Sequence, residues 1–207
     1  MGNLLYMQHD MFKDFISKIS ELNPRKMTHG QIQLMFEVLC SGAFRISEVL
    51  QLIPEDILPN GKIRLRETKG GWKRCKCSKW KFGPMKLIKV DKKCKKCLGK
   101  GKFRVIQYGW IQPNILEKLK VLAEKTDKDN RLFPITRKQA WNYANQLVGA
   151  RTHTFRHTWL TWLLESEKFN KRDIKQKARH TSIATTGEYI EDNTDFTQSK
   201  EKEIMHI

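Results

Sequence analysis

Hydrophobic residues recur at helical spacing through about the first fifty positions of the chain. The spacing predicts an amphipathic helix over residues 1–23, a second helix opened by a capping box at Thr28 and Gln31, and a third over residues 46–52. We expect Gly42 to end the second helix, because glycine is common just past helix C-termini. The first quarter of the chain is therefore predicted to be helical.

A short stretch further along the chain alternates between apolar and polar residues instead. After a turn at residues 59–61, residues 62–66 alternate and predict an exposed strand. Two glycines at positions 70–71 break this strand, and residues 103–108 have the composition of a strand that returns beside it. The two segments predict a small antiparallel sheet.

Helical spacing returns in the second half of the chain. Apolar residues form one stripe from Pro113 onward, and further helices are predicted over residues 137–148 and 153–165. Ser182 is the predicted N-cap of a last helix that reaches Tyr189. This order of helices, small antiparallel sheet and helices predicts an α+β fold that is mostly helical.

The charge of the chain is large and unevenly distributed. The 207 residues carry 40 Lys and Arg against 22 Asp and Glu, a formal net charge of +18. Residues 69–104 hold 15 of these cations and a single acid, Asp91, and so carry +14 of that charge. Such an excess predicts a polyanionic partner, with nucleic acid as the leading candidate. No apolar run approaches the roughly 18 residues of a membrane span, so we expect an intracellular protein without a membrane partner.

Four of the five cysteines form two close pairs inside this basic segment, Cys75 with Cys77 and Cys94 with Cys97. Two such pairs, 16 residues apart, can place four thiolates around one tetrahedral Zn²⁺, as in a zinc ribbon. We predict a structural Zn²⁺ in a zinc-ribbon-like insert over residues 75–101, because four protein ligands leave no open position for a reactive water. The alternative is a reduced loop without metal.

Three strings of residues resemble the signature boxes of a known family. They are Ser41-Gly42-Ala43-Phe44-Arg45-Ile46-Ser47-Glu48-Val49-Leu50, His153-Thr154-Phe155-Arg156-His157-Thr158, and Arg179-His180-Thr181-Ser182 followed by Thr185-Thr186 and Tyr189. Together, and in this order, they are similar to the boxes of the tyrosine recombinase (phage integrase) catalytic domain. The resemblance covers about residues 24–192, with the basic insert as an interruption.

These residue types suit the cleavage of a phosphodiester without a metal. Such cleavage needs a nucleophile, positive donors around the non-bridging oxygens, and an acid for the leaving 5′ oxygen. Arginine forks match phosphate geometry and remain charged at any working pH. The candidate catalytic residues are the phosphate clamps Arg45 and Arg156, the hydrogen-bond donors His153 and His180, and the nucleophile Tyr189. Lys69 resembles the family's hairpin lysine, which protonates the leaving oxygen, with Lys73 and Arg74 as the alternatives for that role.

The resemblance implies a covalent mechanism. Tyr189 would become a 3′-phosphotyrosine, and His153 would take its proton. The covalent bond conserves the energy of the broken one, so the chemistry requires neither metal nor ATP. We expect Glu48 to brace a local arginine, and His157 to be structural because it points away from the Arg156 face.

The resemblance also implies an organisation. It divides the chain into an N-terminal helix or linker (1–23), a catalytic domain (24–192) and a C-terminal tail (193–207). It implies a site-specific recombinase or integrase that acts on double-stranded DNA as a homo-tetramer on paired sites. The setting would be the cytoplasm, at the nucleoid, in a prokaryotic, viral or mobile-element context.

The chain departs from the family in two places. Many members carry a separate helical DNA-binding domain before the catalytic one, whereas here only residues 1–23 precede it. We expect that the basic insert compensates for the separate DNA-binding domain, by gripping the DNA backbone or reading flanking sequence. Arg179 stands where the family usually has glycine before His180.

Two other functions remain open at this point. A type IB topoisomerase would use the same residues to relax supercoils without exchange between two sites. A non-catalytic zinc-ribbon DNA-binding protein would retain the boxes as relics, with a core histidine at position 153 and an ordinary surface arginine at position 45. A covalent adduct that depends on Tyr189 would separate the enzymes from the binding protein.

Overall fold

The structure is a computed structural model, and it describes residues 7–66, 72–81, 86–166 and 168–179. Within these residues the α-helices are α1 (His9–Ser17), α2 (His29–Ser41), α3 (Ile46–Val49), α4 (Pro113–Glu124), α5 (Arg137–Val148), α6 (Thr152–Glu165) and α7 (Lys171–Ala178). The strands are β1 (Ile63–Leu65), β2 (Trp72–Arg74), β3 (Ser78–Lys81), β4 (Lys86–Val90), β5 (Lys102–Arg104) and β6 (Gln107–Gly109). Short 3₁₀ helices lie at Lys18–Glu21 and Pro54–Asp56.

The chain divides into two compact units. The second unit is residues 66–107, which include the four paired cysteines, and the first unit is the rest of the chain. The first unit holds all the described helices, and the second holds strands β2 to β5.

An aromatic cluster joins the helices of the first unit. Phe15 of α1 contacts Phe36 of α2 and Phe155 of α6 edge-on, with ring centroids 4.9 Å and 4.8 Å away. Phe36 and Phe155 contact each other at 4.7 Å, and all three side chains are fully buried. Aromatic burial and edge-to-face geometry therefore stabilise the packing of α1, α2 and α6.

Side-chain caps begin three of these helices. The predicted capping box of α2 is confirmed, because Thr28 Oγ1 accepts from Gln31 N at 3.2 Å and Gln31 Oε1 accepts from Thr28 N at 2.9 Å. Thr136 and Asn170 open α5 and α7 in the same way. These caps satisfy backbone N–H groups that have no partner within the helix.

Helix α7 was not expected from the sequence. Its eight residues are mostly charged or polar, so the apolar stripe that reveals an amphipathic helix is absent. Ile174 and Ala178 are nevertheless buried, and α7 packs against α6. The helix depends on its Asn170 cap and on this packing rather than on a hydrophobic pattern.

Several predicted elements differ from those observed. The helix predicted over residues 1–23 is observed as α1 and a 3₁₀ turn, and residues 1–6 lie outside the described ranges. The helix predicted over residues 46–52 ends at Val49. The predicted helix from Ser182 to Tyr189 lies outside the described residues. No helix in the described ranges combines the length and the apolar character that a membrane span requires.

The predicted sheet needs two corrections. The single returning strand over residues 103–108 is wrong, because β5 pairs with β2 in the second unit whereas β6 pairs with β1. The prediction that β1 is exposed is also wrong, since Ile63 and Leu65 are 0% and 1% exposed. Alternation identified the strand, but what covers its apolar face is a tertiary property.

The second unit consists of two antiparallel strand pairs. β2 pairs with β5, with Lys73 opposite Phe103, and β3 pairs with β4 through an irregularity at residues 79–80. The cysteine-bearing turns are joined by two backbone hydrogen bonds, from Cys75 N to Gly101 O and from Asp91 N to Cys77 O. This arrangement brings residues 75–77 beside residues 91–101.

Candidate active site and metal centre

The turn between α2 and α3 is built around one buried ring. Phe44 is fully buried between two glycines, and a Cβ at Gly42 or Gly109 would lie 2.4 Å or 2.2 Å from its ring atoms. Ala43 adopts a left-handed conformation with φ of 44°. The two glycines therefore allow the ring to anchor the turn, which positions Arg45 at the start of α3.

Glu48 is the buried counter-charge at this turn. Its side chain is 0% exposed, and Oε1 accepts from Arg45 Nη1 at 3.0 Å while Oε2 accepts from Arg45 N at 2.8 Å. Oε2 also accepts from Arg179 Nη2 at 2.8 Å. The expectation that Glu48 braces a local arginine is confirmed, and the same carboxylate holds a second arginine from the end of α7.

Arg156 reaches the same turn from α6. It is 1% exposed, and its guanidinium donates to the carbonyl oxygens of Ala43 and Ala178. Burial, followed by the charges of Arg179 and Arg45, lowers the pKa of Arg156 to about 9. Arg156 thus remains protonated at neutral pH, and its side chain lies inside the first unit.

Arg179 is the residue of this cluster that sequence reasoning missed. It caps α7 in the left-handed region, with φ of 54°, and its guanidinium lies over Phe44 at 5.0 Å from the ring centroid. It also contacts the carbonyl oxygens of Gly42 and Ala43 at 3.4 Å and 3.3 Å. The available signal was the departure from the family's usual glycine, since a non-glycine residue in this conformation needs compensating contacts.

His153 lies at the surface of α6, one helical turn before His157. The two imidazole rings meet edge-on, with centroids 4.6 Å apart. His157 keeps part of its ring in solvent, but desolvation and then the charge of Arg156 lower its pKa below the usual value. The interpretation of His157 as structural stays a prediction, although the ring is the immediate neighbour of His153.

The described residues bring together part of the predicted catalytic set. Arg45 and Arg156 converge on the Gly42–Arg45 turn, and His153 lies three residues before Arg156 on α6. Lys69, His180 and Tyr189 lie outside the described residues. Their assignment therefore rests on the sequence alone.

The cluster is strongly cationic. Among the described residues, three guanidinium groups from Arg45, Arg156 and Arg179 lie near one carboxylate, Glu48, so the group carries a formal charge of about +2. Burial lowers the pKa of both Arg156 and Arg179, and repulsion by the positive charge of Arg45 lowers both further. An arrangement of this kind attracts an anion, and arginine forks are suited to phosphate.

A cavity elsewhere in the first unit does not contain these residues. It has a volume of about 370 Å³, and its walls come from residues of α1, α2, α4 and α6, together with the short connections at Gln112 and Ser166. Ser41 and Trp159 line this cavity, and neither the Ser41 hydroxyl nor the Trp159 indole N–H has a hydrogen-bond partner among the described residues. The arginine cluster is therefore not housed in this cavity.

The four paired cysteines form one cluster in the second unit. Their sulfur atoms all lie within 4.8 Å of one another, with Cys75 Sγ 3.6 Å from Cys94 Sγ and Cys77 Sγ 3.5 Å from Cys97 Sγ. These distances are too long for disulfides, which need about 2.05 Å. They are near the separation of about 3.8 Å that zinc–sulfur bonds of about 2.3 Å impose in a tetrahedron.

The backbone around the second pair of cysteines favours a thiolate. Backbone hydrogen bonds from Cys97 and Lys96, together with the Cys77 side chain, lower the pKa of Cys94 to about 7. Desolvation and hydrogen bonds to the other three sulfurs raise the pKa of Cys77 to about 12. A bound cation would favour the thiolate of Cys77, because metal binding releases protons from its ligands.

The turn that follows Cys94 and Cys97 requires glycine at position 99. Gly99 has φ of +74°, and a Cβ there would lie 3.2 Å from Lys92 O. Leu98 adopts φ of 48° and is 75% exposed, so the turn presents an apolar side chain to solvent. The residues present thus fit a four-thiolate metal site with a tightly turned second knuckle.

Comparison with protein families assigns the chain. The profile of the phage integrase family matches residues 6–195. The chain belongs to the phage integrase family. The match includes the Gly42–Arg45 turn, α6 and α7, and so contains the whole arginine cluster of this family member.

The fold is that of a tyrosine recombinase catalytic domain. It is similar to the catalytic domain of bacteriophage HP1 integrase, with 17% identity over 89% of this chain and 85% of that chain and a TM-score of 0.56. Identity this low shows the fold alone. The expected family and fold class are confirmed. No curated protein matches the sequence of this chain.

Two further similar structures are complexes with a substrate or with DNA. One is the XerH site-specific recombinase bound to difH, with 15% identity over 89% of this chain and 49% of XerH and a TM-score of 0.55. The other is the Tn1549 transposon integrase (residues 82–397) with circular-intermediate DNA, with 14% identity over 100% of this chain and 67% of that chain and a TM-score of 0.60. This family member thus spans about half the length of XerH.

We predict that Glu48→Gln strongly destabilises the first unit. The change leaves buried arginines without their counter-charge, and breaking a buried ion pair costs about 3–5 kcal/mol. Glu37→Gln is the matched control, because Glu37 pairs at 3.1 Å with Lys118, whose side chain is 52% exposed. That pair should contribute at most about 1 kcal/mol. Urea unfolding measures both, and equal losses would contradict the role assigned to Glu48.

Proposed function

We propose that this chain cleaves and rejoins double-stranded DNA through a 3′-phosphotyrosine, as a site-specific recombinase or integrase. The observation that carries the proposal is the convergence of Arg45 and Arg156 on one turn, beside Glu48, in a member of the phage integrase family. A cationic cluster of arginines suits a phosphodiester that gains negative charge as it reacts.

Each residue of the proposed catalytic set has a role in the reaction. Arg45 and Arg156 hold the non-bridging oxygens of the scissile phosphate. Tyr189 Oη attacks phosphorus, and His153 accepts the phenolic proton. Lys69 protonates the 5′ oxygen as the P–O bond breaks, while His180 donates to the developing phosphorane.

The chemistry balances without a cofactor. One P–O bond to the 5′ oxygen breaks and one P–O bond to Tyr189 forms, so the energy of the phosphodiester is retained. Attack by a free 5′ hydroxyl on the phosphotyrosine reverses the step and releases the tyrosine. Neither a metal nor ATP takes part in the proposed reaction.

The proposed organisation follows the family match. Residues 24–192 form the catalytic domain, residues 1–23 a helical linker, and residues 193–207 a tail. The active form is a homo-tetramer on paired DNA sites, in a prokaryotic, viral or mobile-element setting. Two proteins of similar fold support the choice of partner: the Tn1549 integrase was solved with circular-intermediate DNA, and XerH with its difH substrate.

Covalent capture tests the reaction. The wild-type chain, incubated with a pool of nicked duplexes of randomised sequence, is expected to give a denaturation-resistant DNA adduct on a gel. Tyr189→Phe removes the nucleophilic hydroxyl and should abolish the adduct. Tyr108→Phe is the control, since Tyr108 is an exposed tyrosine, 45% accessible, outside the proposed set.

The outcomes separate the alternatives. DNA binding without any Tyr189-dependent adduct would contradict the enzyme and leave a non-catalytic DNA-binding protein. An adduct accompanied by relaxation of a one-site plasmid, without exchange between two captured sites, would instead identify a topoisomerase activity. Exchange between two copies of the captured sequence is the expected result.

The second unit is proposed to hold one structural Zn²⁺ through Cys75, Cys77, Cys94 and Cys97. The support is the close approach of all four sulfurs and the backbone hydrogen bonds around Cys94. When bound, the ion would cross-link the two cysteine-bearing turns. Such a cross-link stabilises the second unit, because a small unit of two strand pairs has little hydrophobic core of its own.

We predict that purified protein contains one zinc per chain, and that Cys94→Ser loses it. Cys40→Ala is the control, because Cys40 is a buried core cysteine outside the cluster, 3% exposed. A strong chelator should unfold the second unit in the wild type and in Cys40→Ala. Elemental analysis and hydrogen exchange across residues 66–107 measure these effects. Equal zinc in Cys94→Ser and wild type would contradict the site.

The second unit is also proposed to grip the DNA backbone. The described part of residues 73–102 exposes ten lysine and arginine side chains and one acid, Asp91. Neutralising phosphates with such cations releases counterions and strengthens binding at low salt. Lysines that are merely solvated would give the same composition without this effect, so the salt dependence decides between them.

We predict that four substitutions in the second unit flatten the salt dependence of DNA binding. The variant is Lys92→Gln, Lys93→Gln, Lys95→Gln and Lys100→Gln, all at exposed positions. Each lysine that contacts a phosphate should lower the slope of log K against log salt by about 0.9.

The control removes the same charge from exposed positions of the first unit, with Lys26→Gln, Lys125→Gln, Lys128→Gln and Lys138→Gln. The two variants carry equal net charge, so a difference in slope reports position rather than charge alone. Equal slopes and equal footprints on DNA would contradict the proposed grip.

A further inference from the structure

Within the described part of the chain, three N–H groups donate to Glu48, one to Oε1 and two to Oε2. Oε1 accepts from Arg45 Nη1 at 3.0 Å. Oε2 accepts from Arg45 N and from Arg179 Nη2, both at 2.8 Å. The side chain of Arg45, three positions before Glu48, therefore contacts only one of the two carboxylate oxygens.

This sharing has a consequence for Arg45. An arginine beside a carboxylate commonly binds both oxygens with two parallel N–H groups, which occupies one side of its fork. Here Arg179 and the Arg45 backbone already fill Oε2, so a bidentate pairing would have to displace them. Among the described residues, the remaining side-chain N–H groups of Arg45 are left for another acceptor.

Exposure points to the same arginine. The side chain of Arg45 is 23% exposed, that of Arg179 is 8% exposed and Arg156 is 1% exposed. Of the three, Arg45 is therefore the one most accessible to an external anion, whereas Arg179 faces the carboxylate, backbone carbonyls and a ring.

We propose that Arg179 is a positioning residue: by occupying Oε2 of Glu48 it keeps Arg45 in single contact and leaves the rest of the Arg45 fork to bind the DNA phosphate. The part of this inference that concerns the DNA phosphate rests on the proposed function. The sharing of Glu48 between Arg45 and Arg179 rests on the observed hydrogen bonds. It also explains why an arginine stands at a left-handed position that glycine occupies without strain.

A purely structural role for Arg179 predicts a different outcome. Arg179 also contacts the carbonyl oxygens of Gly42 and Ala43 and the ring of Phe44, so it helps to hold the end of α7 against the turn. If that were its only task, Arg179→Gly would act through stability alone. Glycine relieves the backbone strain but supplies no group to Oε2, so the two roles separate in this variant.

The test compares three substitutions at position 179 by the rate of covalent adduct formation at saturating DNA. Arg179→Gln and Arg179→Gly are expected to lower that rate about 10- to 100-fold, the range seen when the support of a functional residue is lost. Arg179→Lys restores a charged donor to Oε2 and is expected to remain within a few-fold of wild type. Arg172→Gln is the control, because Arg172 is an exposed arginine on the same helix.

Thermal unfolding and DNA affinity accompany the rates. The affinity should change little, since phosphate contacts elsewhere supply most of it. Losses of rate that follow the loss of stability across all three variants would overturn the proposal. So would Arg179→Gly cleaving as fast as wild type, or Arg179→Lys cleaving as slowly as Arg179→Gln.

A crystal structure of Arg179→Gln provides a readout independent of activity. The expected result is a bidentate Arg45–Glu48 pair, with both terminal nitrogens of Arg45 on the carboxylate. An Arg45 side chain still in single contact would overturn the proposal. If the wild type forms no adduct, the proposed function fails, and the Arg45 geometry of this variant still decides the role of Arg179.

Discussion

The arrangement of the first unit depends on one buried carboxylate. Glu48 is fully shielded from solvent and lies against guanidinium groups from the start of α3 and the end of α7. Removing such a charge from water is costly unless its partners are placed well, so this carboxylate constrains the segments around it. The Gly42–Arg45 turn, the ring of Phe44 and the end of α7 all meet at this point.

The two units produce positive potential in different ways. In the first unit a few arginines are buried, held by carbonyl oxygens and one carboxylate, and little screened by salt. In the second unit many lysines are exposed to solvent around a compact cysteine cluster. Buried cations suit the orientation of a single phosphate, whereas exposed cations suit attraction of a long polyanion and weaken with salt.

Sequence reasoning succeeded where the signal was local. The capping box of Thr28 and Gln31, the end of α2 at Gly42 and the pairing of Glu48 with Arg45 each involve residues close in sequence. It failed where neighbours along the chain belong to different surroundings. The strand expected over residues 103–108 divides because β5 pairs inside the second unit and β6 pairs with β1.

The missed elements share a physical cause. Helix α7 lacks an apolar stripe, so its stability comes from its cap and from packing that periodicity does not report. The apolar side chains of β1, Ile63 and Leu65, are buried, which alternation alone does not establish. Arg45, Arg156 and His153 of the candidate site lie in the described residues. The sequence marks Arg179 only as a departure from the family's usual glycine.

The amino-acid sequence by itself determined the inventory: the order of the three boxes, the spacing of the cysteines and the concentration of charge in residues 69–104. These are properties of composition and local spacing, and they survive in any conformation. Only the tertiary structure decided that Arg179 shares Glu48 with Arg45 across 131 positions of the chain. That contact exists because packing of α7 on α6 brings a distant cation to a carboxylate that burial leaves without water.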